Sequence, residues 1–179
     1  MRRHVTATCS ALLTAGMMLV ISSVPAAAQT SGSESYDGTI VASGLSGTRV
    51  ELASVIRFRG VFNGVGQVIE RPSLSGDPDN TARDDLVFAD GTIHLLTYFG
   101  NVLSLNLNPQ SCTASGQMQT TSTVDGGTGI FGGATGSFDN IGGIQALAGR
   151  NPDGSCNFDL TMPPLHEIDT LSGSGSLSF

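Results

Sequence analysis

The chain has no lysine and no tryptophan, and charged residues make up only 13% of its 179 positions. All eight basic residues are arginines, against fifteen acidic ones, for a formal net charge of −7. An acidic chain without clustered cations excludes nucleic-acid binding, because phosphate contacts need concentrated positive charge. It equally disfavours an anionic membrane surface. With no Trp and two Tyr, the aromatic girdles of an outer-membrane barrel are missing. No window outside the N-terminal apolar run sustains a helical period of 3.6, which leaves strands as the expected element.

The apolar run itself spans Ala11–Val24, behind the basic start Met1-Arg2-Arg3-His4 and ahead of Pro25-Ala26-Ala27-Ala28. Its length falls short of the ~20 residues of a spanning helix, and the order of basic, apolar and small residues is that of a secretory signal with cleavage after Ala28. The division expected is 1–28 signal peptide, 29–36 flexible leader and 37–179 one β-domain, in a secreted, periplasmic or cell-envelope protein with no stable membrane insertion after cleavage. Cys9 leaves with the signal, so Cys112 and Cys156 remain. An even count in an exported chain suggests one disulfide; two free buried thiols are the alternative.

Short alternating segments separated by Gly, Asn-Gly and Asp-Gly turns fill the rest. Strands are expected over 38–43, 49–62, 65–69, 86–89, 92–99, 102–108, 111–124, 137–148 (one or two), 155–162 and 171–179. Asn63-Gly64 and Asp90-Gly91 mark hairpins. Pro72–Asp84 reads as a polar loop. This pattern predicts an all-β sandwich or barrel, and a final strand that needs a partner favours closure.

The densest motif is Asp125–Phe138, DGGTGIFGGATGSF. Gly127-x-Gly129-x-x-Gly132 matches a dinucleotide fingerprint literally, but no parallel strand precedes it and no helix can follow it. A Gly-rich turn that seats Phe131 and Phe138 in the core is the plainer reading. Gly126, Gly127, Thr128, Gly129, Phe131, Gly133, Ala134 and Gly136 also make the stretch resemble the signature of barrels related to allene oxide cyclase and dirigent proteins. Phe62-Asn63-Gly64-Val65-Gly66 and Phe88-Ala89-Asp90-Gly91-Thr92 are similar to small exported bacterial members of that group. The resemblance implies an eight-stranded antiparallel, calycin-like barrel with a narrow interior. In the cyclases a buried acid and a bound water direct a lipid's cyclisation; in dirigent barrels acids and an aromatic hydroxyl do the work. Related barrels form dimers or trimers, which implies a possible homo-oligomer.

Several side chains are candidates for chemistry. Glu51 is a lumen acid or a solvated strand end. Arg57 and Arg59 share a strand face and would hold a carboxylate if that face lines the lumen; facing solvent they only solubilise. His94 and Tyr98 share a face, and His94 is a candidate base or a satisfied semi-buried histidine. Asp77, Asp79, Asp84 and Asp85 offer hard oxygen ligands, but Ala82 and Phe88 stand where a calcium loop needs Gly and Glu, so a solvated acidic loop is expected. His166, Glu167 and Asp169 are a weaker version of the same hint. No G-x-S-x-G elbow occurs, and no metal or cofactor is expected. The function these features suggest is binding of a small apolar or amphipathic ligand in a barrel interior. A cyclase- or isomerase-like enzyme and a ligand-free structural or surface protein are the alternatives.

Overall fold

The computed structural model describes residues 29–159 and 161–179, so the expected signal segment lies outside the described residues. The fold is all-β: eight antiparallel strands close into one barrel in sequence order, β1 to β8. They are β1 Ser31–Ser43, β2 Val50–Gly60, β3 Gly64–Arg71, β4 Thr81–Phe88, β5 Gly91–Asn108, β6 Thr113–Gly129, β7 Thr135–Leu147 and β8 His166–Ser178. The up-and-down order follows from tight turns at one end and from β8 pairing back on β1 from Ser31↔Ser178 to Ser43↔His166.

Several expected boundaries move. The segment read as a leader supplies the first residues of β1, because Glu34 is buried and accepts the backbone N–H of Phe62 at 2.9 Å. The segments 92–99 and 102–108 merge into β5: Gly100-Asn101 forms an irregularity in the β5–β6 ladder, where a turn was expected. Gly142-Gly143 does not break β7, since both residues stay paired with β6 and β8. The polar stretch before Leu86 already belongs to β4 from Thr81. Among its described residues the segment 155–162 forms no strand and takes part in the isolated bridge Arg150↔Cys156.

Aromatic rings fill one end of the barrel. Phe131 is fully buried and meets Phe62 at 4.9 Å and Phe179 at 5.1 Å between ring centroids. Phe62 packs on Phe88 at 4.9 Å, and Tyr36 stacks on Phe58 at 5.2 Å. Three of these contacts are edge-to-face, the geometry that aromatic quadrupoles favour, and the Tyr36–Phe58 pair is stacked. The Gly-rich stretch builds this plug. β6 ends in Gly126-Gly127-Thr128-Gly129, and a tight turn follows through the bonds Phe131 N–H to Thr128 C=O (3.1 Å) and Ala134 N–H to Phe131 C=O (2.9 Å). Gly133 leaves that turn with φ of 76°, and Gly136 lies in β7. Gly129 has φ of 63°, and a Cβ there would collide with the Asp90 carbonyl, so only glycine fits.

Cys112 and Cys156 are disulfide-bonded, as the even count suggested, and tie the β5–β6 turn to the long β7–β8 connection. Removing the Phe131 ring leaves a void among aromatic neighbours. Phe131→Ala is expected to lower unfolding free energy by roughly 3–5 kcal/mol, measured by chemical denaturation. Reduction of the disulfide opens a 44-residue loop and is expected to remove on the order of 4 kcal/mol, seen as a lower denaturation midpoint with reductant present.

Candidate functional site: the open half of the barrel

Strand alternation splits each strand between lumen and outer wall. On β2 the buried Ile56 and Phe58 point inward, so Arg57 and Arg59 lie on the outer wall. There Arg59 pairs with Asp37, and Arg57 borders a shallow groove with Asp37, Val55 and Val65. On β5 the buried Ile93 and Leu95 point inward, which places His94 and Tyr98 outside as well. His94 Nδ1 sits 2.7 Å from Asp85 Oδ1, and Arg71 holds the other oxygen of that carboxylate at 2.8 Å. Of the five candidates, only Glu51 is on the lumen side: it pairs with the buried Ala42 near the rim.

The expected acidic loop divides. Asp77 stays in the β3–β4 connection, clamped by Arg83 at 2.8 Å, and this ion pair pulls its carboxyl down to about 2. Asp84 and Asp85 are neighbours on β4 and point to opposite sides of the wall. Asp84 shares the inner side with Leu86 and Phe88, opposite Glu70 of β3 and Leu95 of β5. Asp84 is therefore a lumen acid beside Glu51, where a solvated loop is expected from the sequence. The signal was the alternation Asp84, Leu86, Phe88, hidden by starting the strand too late.

Three layers stack along the lumen. The aromatic plug is the lowest. Above it, Tyr36 donates its hydroxyl to Asn140 Oδ1 at 2.8 Å, and Asn140 Nδ2 donates to Ser122 Oγ at 2.8 Å and Thr120 Oγ1 at 3.3 Å. Thr97 and Ser122 hydroxyls are 2.8 Å apart and extend this network to β5. Gly173 makes room for it, since a Cβ there would strike both Asn140 and the Tyr36 ring. Burial pushes the Tyr36 hydroxyl far above its ordinary range, and the charge of Asp84 adds to the shift.

The top layer is charged. Arg49, at the end of the β1–β2 connection, donates from Nε to Glu167 Oε1 at 2.6 Å and from Nη2 to Asp169 Oδ2 at 2.7 Å, and it also pairs with Glu70. Burial alone would lower the arginine's pKa, but the bond to Glu167 and the three carboxylate charges outweigh it and hold Arg49 protonated. Asp169 is shifted upward by burial and by the adjacent Glu167. Asp84 is pushed up to about 6 by burial, reinforced by the charges of Glu70 and Glu51. A carboxyl with that value can either donate or accept a proton near neutrality.

Beyond this layer the wall is incomplete. β4 leaves β5 at the pair Thr81↔Tyr98, whereas β5 continues to Asn108 beside β6. Leu105 and Leu107 lie opposite Gly116 and Ala114, on the inner side shared with Met118 and Thr120, and remain 59% and 43% exposed. Ile144 of β7 joins them, paired with Gly116 and Asp169. The mouth thus has an acidic side and an apolar side. A nearby open groove of about 470 Å³ runs across Asn106, Ser115, Gln145, His166 and Glu167. Among the described residues, no three His, Cys, Asp or Glu side chains gather in an arrangement that could hold a metal.

Asp84 binds protons more tightly folded, at about 6 against 3.8 unfolded. Its contribution therefore falls as pH rises from ~4 to ~6, because the native state must then hold a buried charge. Asp84→Asn is expected to be more stable than the parent at pH 7, by up to about 3 kcal/mol at 1.36 kcal/mol per unit. The gain should shrink toward pH 4, as read from melting temperatures across that range.

No protein-family model, no curated protein and no solved structure matches this chain.

Proposed function

We propose that this is an exported barrel that binds a small amphipathic molecule in its open half. One observation carries the reading: Asp84, a carboxyl inside the lumen, lies between a buried hydroxyl–amide layer and a mouth that is acidic on one side and apolar on the other. The five carboxyls Glu51, Glu70, Asp84, Glu167 and Asp169 outnumber the single Arg49. They suit a head group that donates hydrogen bonds, a hydroxyl or an amine. Leu105, Leu107 and Ile144 suit its apolar remainder. The disulfide fits an oxidising compartment, and among the described residues no helix is long and apolar enough to cross a membrane. Membership of the allene oxide cyclase and dirigent-like group is part of the proposal and rests on the glycine turn around Phe131.

A cyclase- or isomerase-like activity is the second reading. Asp84 near neutral pH beside the Tyr36 hydroxyl layer favours it. Binding is preferred because the rings occupy the closed half, so the acid works in a mouth open to water, whereas catalysis on a reactive substrate favours an enclosed site.

Native mass spectrometry of the protein purified from its own host tests both. The expected result is a small-molecule adduct that organic extraction removes and that is depleted in Asp84→Asn. The same compound should be recovered unaltered after re-incubation with the extracted protein; conversion to an isomer would establish the enzyme instead. A parent protein without any adduct, and with no uptake from a host lipid extract, would overturn the binding reading.

A further inference from the structure

The barrel is closed, yet some lengths of strand have a neighbour on one side only: the gap between β2 and β3 is bordered by the charged Glu51, Glu70 and Arg71, and the far end of β5 is the uncharged case. β4 follows β5 no further than Thr81↔Tyr98, and the last bond across that seam is Phe99 N–H to Asn80 C=O at 2.9 Å. From there to Asn108, β5 pairs with β6 alone. The ladder shifts register between Phe99 and Ser104, after which Ser104–Asn108 runs regularly against Gln117–Thr113. Five residues is an ordinary strand length, and the backbone groups on its free side have no bond to the described chain.

Such edges usually carry lysine, inward charges or proline that block pairing with another chain. This one carries none before Pro109. No Asp, Glu, Lys or Arg occurs between Asp90 and Asp125, so β5 and β6 as far as Val124 carry no formal charge in a chain of net charge −7. Two copies of an acidic chain repel each other over most of their surfaces. The uncharged edge is where that repulsion is least, and a cationic partner would gain nothing there. The edge is also self-complementary. An antiparallel pair centred on Asn106 sets Leu105 of one copy beside Leu107 of the other, on one side of the sheet. On the opposite side it sets Ser104 beside Asn108 and the two Asn106 side chains together. The twofold operation satisfies both edges at once, as an isologous contact requires.

We propose that the protein forms a twofold dimer by antiparallel pairing of the Ser104–Asn108 edges, joining two barrels through a continuous sheet. The proposal goes beyond ligand binding and does not depend on it.

Sedimentation equilibrium on the purified protein, combined with hydrogen exchange, tests the pairing. The expected parent behaviour is a species of twice the single-chain mass, with amides in 104–108 protected at high protein concentration and exchanging freely on dilution. Asn106→Lys faces a cation with its own copy at the centre of the pair, where like charges oppose. It should raise the dimer dissociation constant about fivefold, while the melting temperature stays near that of the parent, since the position is exposed. A parent that remains a single chain at all concentrations overturns the proposal. So does a dimer in which these amides exchange freely. A dimer left intact by Asn106→Lys, or an edge protected only by another captured protein, overturns it too.

Discussion

Everything above the closed end depends on the packing of Phe131 against Phe62, Phe88 and Phe179. An eight-stranded barrel has an interior just wide enough for side chains to fill. Here large rings fill one half, helped by glycines at inner positions such as Gly66 and Gly173, whose Cβ atoms would overlap Phe88 and Tyr36. With that half solid, any water or ligand in the lumen is confined to the other. The plug also ties chain-distant elements together: the β2–β3 turn, the β6–β7 turn and the C-terminal Phe179 meet there.

The lumen then becomes steadily more polar toward the mouth. Tyr36 and Asn140 satisfy each other where burial would otherwise leave a hydroxyl and an amide without partners. The carboxyls above them do not all find cations, because Arg49 is shared among three of them. Asp84 has no share in that arginine's hydrogen bonds and responds by holding its proton more tightly. The mouth therefore has an excess of acid facing an apolar wall.

The class of fold was legible because its signals are local. Asn63-Gly64 and Asp90-Gly91 mark turns whatever lies around them, and alternation through Val55–Phe58 reports a strand with two unlike faces. The site was less legible. Arg57, Arg59, His94 and Tyr98 could be paired by face, but local sequence does not say which face turns inward. Burial of Ile56, Phe58, Ile93 and Leu95 decides that, and sends all four candidates to the outer wall. Asp84 was missed because Thr81–Asp85 is polar and reads as loop. It is strand because β3 and β5 pair with it on both sides.

The sequence by itself determined that the chain is built of strands, that its surface repels polyanions, that two cysteines remain after the expected signal, and that glycines must shape the turn around Phe131. These follow from composition, alternation and the stereochemistry of single residues. Only the tertiary structure decided that Cys112 and Cys156 are joined, that Asp84 and not His94 faces the lumen, and that β5 outruns β4. Those facts depend on register and closure between segments far apart in the chain, which no window of neighbouring residues contains.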